Sequence, residues 1–555
     1  MIDLRRRTFR EAFAAHAKGS HVNVDLVILA GNARNPGEPD AFPSPVALGV
    51  SAGRIAAIGR PEDVRATAEG ALEVDLGDAV VYPGLVDSHA HPVWGSLSRG
   101  GSVALGPARS LDEVRALLAP AVASPGPGGW VTGFDFDLNL YPGEPEGRIL
   151  DTWFPGARIS LMTRDAHALI VSPAAVADLG LTGRETFPDA SAVIADEHGP
   201  TGWVVELQAM DLVLERLPQA PLETQAQHLR QGLELLASGG LTGLHALDFH
   251  EPSEALLTML EVDGELPLRV RASPLVPADS GPEEWERAVA LQGRGGRRWQ
   301  VAGVKFMLDG TADNGTAWFE RPDCQGENAA ALWRDTGAYR AAVRFFTERG
   351  IPTTTHAIGD AAVRFVLDVV AEVGHAAAGP HRIEHIESIP DDLLPRFAEL
   401  GVVPGLQPTH ATRLTSPDQS DKWSRRIGPE RVAHGWRIRD LLDHGAQVAL
   451  SSDWPIGVGD PRVSLADAQL RRPVELDGRA PTQPDQAIGA AEAYRAMTLA
   501  PAVAAGTASD TGRIGVGFVA DLTVFARDPL ALSPQEQAVN PVVATFVGGQ
   551  RSVGA

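Results

Sequence analysis

The chain has 555 residues and a formal net charge of −23. That acidic balance argues against a nucleic-acid partner, because phosphate binding needs a basic surface. One cysteine, Cys324, excludes an internal disulfide framework and a thiolate cage, so any metal must be held by His, Asp, Glu or a lysine derivative.

At the amino terminus, Arg5-Arg6-Arg7 with Phe9 weakly resembles a twin-arginine export signal. The following Glu11–Lys18 carries two charges and a histidine, too polar for a signal's apolar core, so residues 1–23 read as an amphipathic arm. No run approaches the ~20 apolar residues of a membrane span. The expected location is cytoplasmic, with a small-molecule substrate, no membrane partner and a homodimer as the commonest assembly.

Val24–Gly59 reads as short strands with turns, and Asp521–Asp528 and Pro541–Gly549 have the same character. Neither end has enough strands to bury its own face, so the two pair into one discontinuous β-sandwich, residues 24–79 with 506–555. Everything between is inserted into it.

The middle, 80–505, alternates strand and helix. Val80–His91 reads as the first buried strand. The others are Leu241–Phe249, Leu266–Val276, Val301–Gly310, Ile351–Gly359, His381–Ser388, Gly401–Thr409 and Gly445–Pro455. Amphipathic helices at Thr224–Ser238, Tyr339–Arg349 and Ala361–Val373 fall between strands. Eight such strands predict an α/β fold of the (β/α)8 TIM-barrel type. The interval 94–223 is far too long for one connection. It has a strand-like run at Arg158–Thr163 and reads as an inserted subdomain over the catalytic face.

His89 and His91 close the first strand two residues apart, so both project to one face. Alone, such a pair is equally a hydrogen-bonded core pair. The other strands change the balance: Lys305 lies on strand 4, His356 ends strand 5, His385 lies on strand 6 and Asp453 ends strand 8. Active sites of this fold are built at that face, and neutral imidazoles with an oxygen ligand suit a divalent ion such as zinc. Metal-bound hydroxide would then attack a carbonyl, with Asp453 as proton carrier. His245 and His410 lie in or just after strands, where they can face the cavity; His434 and His444 read as structural.

Several segments resemble the amidohydrolase superfamily, and within it family 3, the YtcJ-like group. They are VVYPGLVDSHAHP, VKFMLDGTADNGTA, THAIGD, RIEHIE and SSDWP, with TRDAHALIVSPAA and TGWVVE in the insertion and GRIGVGFVADLTVF near the carboxyl end. The resemblance implies metal ligation by His89, His91, His356, His385 and Asp453. It implies for Lys305 a carboxylated lysine bridging two ions; an unmodified cation orienting substrate beside one ion is the alternative. Arg164, Asp165 and His167 match a substrate-facing block. Asp309 and Asp360 read as residues that orient ligands or as turn residues. Trp94 and Trp454 read as pocket walls or as packing.

The implied activity is metal-dependent hydrolysis of a carbon–nitrogen bond, most simply an amide of an N-acyl or N-formyl amine. A mononuclear deaminase and a cyclic amide or imide hydrolase are the alternatives on the same scaffold. A non-catalytic binding protein would show eroded ligands, and none is missing here.

Overall fold

In the computed structural model the described residues are 24–141 and 143–553. The arm expected over 1–23 lies outside them.

The two ends of the chain build two facing sheets. One has the order Arg54–Gly59, Val46–Ser51, Leu26–Ala30, Leu72–Asp75. The other runs Asn32–Ala33, Val80–Pro83, Leu522–Phe525, Val542–Val547, Gln550–Val553, so it takes strands from both ends. Ile28, Val46, Leu48, Val81, Leu522, Val524 and Phe546 pack together between them. Alternate residues of short strands supply this layer, as expected for sheets with one buried face.

The run Val80–His91 is not one strand. Val80–Pro83 pairs antiparallel with Leu522–Phe525, whereas Leu85–Ala90 runs parallel to Leu241–Phe249. The chain changes sheets at Gly84, where an added Cβ would lie 2.0 Å from Thr242 Oγ1. The residues on either side of Gly84 are apolar and buried, so hydrophobicity alone could not show the break.

Eight strands then follow in chain order: β1 Leu85–Ala90, β2 Leu241–Phe249, β3 Arg269–Pro274, β4 Val304–Met307, β5 Thr353–Ala357, β6 Arg382–His385, β7 Val403–Leu406 and β8 Ala449–Leu450. β1, β2 and β3 are parallel neighbours, with Trp299–Val301 on their outer edge; β4 to β8 form a second parallel sheet. Isolated parallel bridges join Leu275 to Lys305 and Ala90 to Trp454. This is an α/β fold with a TIM-barrel-like core and auxiliary sheets. All nine residues of β2 are buried, which explains its unbroken apolar reading. Helices Leu222–Ser238, Thr336–Glu348 and Asp360–Val373 cover the strands with stripes such as Leu229, Leu233, Leu236 and Val363, Val366, Val370.

Between β1 and β2 the chain builds a six-stranded mixed sheet. Its order is Ala192–Asp196, Gly199–Val205, Ala168–Val171, Arg158–Thr163, Trp130–Phe136, Val103–Ala104. Only Arg158–Thr163 stood out in the sequence. The sheet is covered on both faces, Leu161, Ile170 and Trp203 to one side and Met162, Leu169 and Val204 to the other, so its strands lack polar alternation. No helix among the described residues is long and apolar enough to cross a membrane.

Candidate active site

The ends of β1 and β8 are laced by backbone hydrogen bonds. Asp453 N–H donates to His89 O at 2.9 Å, and His91 N–H to Trp454 O at 2.8 Å. Buried Asp87 locks the same junction, accepting from the N–H groups of His89 and Ser452 and from Ser452 Oγ. Burial pushes the Asp87 carboxyl up to about 6 against those hydrogen bonds.

This lacing places Asp453 Oδ1 at 3.2 Å from His89 Nε2 and 3.0 Å from His91 Nε2, with 3.3 Å between the two nitrogens. Ligands held at ~2.0 Å around a tetrahedral ion lie ~3.3 Å apart, and these edges have that length. Asp453 Oδ1 is buried and has no hydrogen bond, although two ring nitrogens lie within 3.2 Å. Lone pairs converging without a proton between them fit a cation. His89, His385 and Asp453 bring their ligand atoms within 4.8 Å of one another, which makes a metal-binding site for one ion.

The imidazoles are set for that role. His89 Nδ1 donates to Glu384 Oε2 at 2.8 Å, leaving Nε2 free on the Asp453 side. His385 Nδ1 donates to Gln407 Oε1 at 3.0 Å in the same way. Burial holds His89, His356 and His385 well below the ordinary histidine range; the charges of Lys305, His167 and His356 respectively add to it. Neutral imidazole is the form that binds metal. Asp453 titrates below the usual range: burial opposes this, but the adjoining His91 ring, 3.0 Å away, outweighs it, helped by His410 and Lys305.

His356 ends β5 with its ring 4.4 Å from that of His385, and its Nε2 donates to Gly310 O at 3.1 Å. Lys305 is 1% exposed, and burial pushes its ammonium down to about 8 although Glu384 and Asp453 favour the charge. His385 and Asp453 both sit in the left-handed backbone region, φ 75° and 56°. Side-chain-bearing residues adopt it rarely, and such outliers gather where geometry is constrained by function.

The insertion faces this cluster. His167 Nδ1 lies 2.9 Å from Glu206 Oε2, and its ring is 5.3 Å from that of His356. Burial lowers the His167 pKa, but the Glu206 carboxylate overrides it and carries the value up to about 9. Asp165 accepts from Thr311 Oγ1 and Asn314 Nδ2, tying the insertion to the loop after β4. Arg164 is spent on Asp135 and Asp137 at 2.6 and 2.8 Å. Asp309 accepts three backbone N–H groups, from Trp318, Ile358 and Gly359, and so fixes the turn after β5. Asp360 accepts from Glu320 N–H and pairs with Arg431, at the outer side of that turn.

The two tryptophans divide. Trp94 stands edge-on to His91, 6.1 Å between rings, and lines a cavity with Arg99, Phe134, Met162 and Arg164. Trp454 is buried in the main core, where Gly95, Gly232 and Gly459 leave room for its ring.

Four contributors escaped sequence reasoning: Glu384, Gln407, Asp87 and Glu206. Glu384 adjoins His385, and strand alternation sends neighbours to opposite faces. The left-handed backbone at His385 breaks that alternation, and both side chains reach the site. His410 does face it, with Nε2 at 3.6 Å from Asp453 Oδ2.

The amidohydrolase family profile matches residues 72–553. The chain belongs to the amidohydrolase family. YtcJ of Bacillus subtilis strain 168 is 25% identical over 86% of this chain and 90% of its own length. An N-substituted formamide deformylase of Arthrobacter pascens is 26% identical over 95% and 97%. Among solved structures, an uncharacterized metal-dependent hydrolase of Pyrococcus horikoshii is 25% identical, covering 92% of this chain and 99% of its own with TM-score 0.71. With the buried His89, His385 and Asp453 cluster, this makes the chain a metal-dependent hydrolase of carbon–nitrogen bonds.

Proposed function

We propose that this amidohydrolase cleaves the amide bond of an N-acyl or N-formyl amine. The observation that carries the reading is Asp453 Oδ1, buried and without a hydrogen bond between His89 and His91. His89, His91, His356, His385 and Asp453 are the residues that would hold one or two divalent ions, with Lys305 as a carboxylated bridging ligand. Zinc suits this nitrogen and oxygen donor set. An ion bound there supplies a nucleophile at neutral pH, by lowering the pKa of water to about 7, and polarises the substrate carbonyl.

The protein's own groups do the rest. Asp453 takes the proton of the attacking water and returns it to the departing nitrogen. His410 Nε2, buried without a hydrogen bond, is a polar atom left for the substrate. His167, held by Glu206, forms the opposite wall and offers its remaining N–H to the substrate oxygen. Trp94 and Arg164 line a small cavity beside His91, at the edge of the site. Asp165 and Asp309 hold the loops around it, and Trp454 supports the β8 end from below.

This reading uses a closed eight-stranded barrel with a discontinuous β-sandwich and an inserted subdomain. The bridges Leu275–Lys305 and Ala90–Trp454, which span both seams between the parallel sheets, support closure. The name of the Arthrobacter relative supports formamides as first substrates to try.

The test is metal content per chain, with amine release from N-formyl and N-acyl amines, for wild type and Lys305→Ala. Two equivalents falling to one or none supports the bridged pair. One equivalent unchanged by the substitution makes Lys305 a substrate contact and favours a mononuclear, deaminase-like enzyme, a reading that the three-residue buried cluster also accommodates. No amine release from any N-acyl or N-formyl substrate by metal-loaded protein rejects the proposal.

A further inference from the structure

The amino-terminal end of the strands, away from the metal cluster, holds a second polar cavity. Its lining includes His245, Arg271, Ser273, Thr354 and Arg382, with Pro352 just before β5. His245 and Arg271 are direct neighbours across β2 and β3, and Thr354 and Arg382 across β5 and β6. These pairs present their polar ends to one small cavity.

Arg382 is 4% exposed. Its Nη2 donates to Ser88 O and lies 2.6 Å from Glu384 Oε1; its Nη1 donates to His245 Nδ1 at 3.0 Å. Its Nε–H is buried with no acceptor. Because His245 accepts at Nδ1, its remaining ring nitrogen is a donor too. Burial and the two arginines hold His245 well below the ordinary histidine range. No carboxylate pairs with Arg271 among the described residues, and the charge that acts on it is the like charge of Arg382.

The charges therefore do not balance. Two guanidiniums share the cavity, and the carboxylate that pairs with Arg382, Glu384, is also committed to His89. Arg271 is half-buried and Arg382 buried, and a water molecule satisfies the orphan N–H without neutralising either charge. The free space is about that of one water-sized particle, which limits any occupant to a monatomic ion and excludes a nucleotide or a substrate.

We propose that this cavity is a binding site for a small inorganic monoanion of halide size, held by Arg271 and by the Nε–H of Arg382. The site is independent of the catalytic reading, because Arg271 takes no part in the metal cluster.

Bromide is the probe. Thermal unfolding of the metal-loaded protein is measured in sodium bromide and in sodium gluconate, an anion too large to enter, at matched ionic strength. The same pair of salts is applied to Arg271→Gln, so that general salt effects cancel. Wild type is expected to unfold about 2 °C higher in bromide, and Arg271→Gln to lose that increment. In gluconate the variant is expected to be the more stable protein, since a like-charge contact is removed. Bromide-soaked crystals are expected to show an anomalous peak between Arg271 and Arg382. An increment that persists in Arg271→Gln, or a peak at the metal cluster alone, overturns the proposal. If Arg271→Gln does not fold, Arg271→Lys keeps the charge, and absence of the bromide peak in both wild type and that variant is decisive against it.

Discussion

Histidines occur at both ends of the strands, and the two sets differ in what their neighbours leave undone. At the amino end, His381 is satisfied: Nδ1 accepts from Thr353 N–H at 3.2 Å and lies 2.9 Å from Thr353 Oγ1, and Nε2 lies 3.3 Å from Thr347 Oγ1. At the carboxyl end, each metal-site histidine spends one nitrogen on a protein partner or none, and the carboxylate among them has an orphan oxygen. Burial depresses the pKa of His381 and of His89 alike. Hydrogen-bond completion separates them: a finished buried network is structure, whereas convergent unfinished groups wait for a ligand.

Four substitutions sharpen or break that contrast. Asp453→Asn removes the orphan oxygen's charge and, with it, the proposed proton carrier; kcat/KM is expected to fall by about 10²–10⁴, with reduced metal content. Retained activity at full metal occupancy would move the proton carrier elsewhere.

His381→Asn tests the satisfied set. Burial lowers the His381 pKa to about 4 from an ordinary 6.5. The unfolded chain therefore takes up a proton between pH 6.5 and 4 that the folded one refuses, and stability falls as pH falls through that window. Up to about 3 kcal/mol of stability is at stake there. Urea unfolding at pH 7 and pH 5 is expected to show a smaller acid loss in the variant, with metal content unchanged; identical losses would assign the acid sensitivity to other groups.

Glu384→Gln weakens the acceptor behind His89. Metal affinity, read by competition with a chelator, is expected to drop about 10–100-fold, as for other partners that orient metal-bound imidazoles. An unchanged affinity would make Glu384 only a partner of Arg382.

The smallest effect falls on the insertion. Thr316→Val deletes the hydroxyl that donates to Glu206 Oε1 at 2.5 Å. About 1–2 kcal/mol of unfolding free energy is expected to be lost, since a buried carboxylate oxygen loses its donor. Metal content stays the same; a loss of metal would tie the His167–Glu206 pair directly to the metal cluster.

Residue pattern alone determined a good deal of this protein. The eight-strand rhythm, the covering helices and the places of His89, His385 and Asp453 near strand ends were legible because burial on both faces writes long apolar runs, and because active sites of this fold gather where strands stop. Tertiary structure decided the rest. Gly84 moves the chain between sheets because a side chain there would strike Thr242, a contact 158 positions away in the sequence. Glu384 reaches His89 across 295 positions, and it shares the site with its neighbour His385 only because the backbone turns left-handed there. Trp94 and Trp454 read alike as sequence, yet one borders a cavity and the other fills a space that three distant glycines leave open. Periodicity reports which face of an element is buried. Which atoms meet on that face, and which are left without partners, is settled only when distant strands pack together.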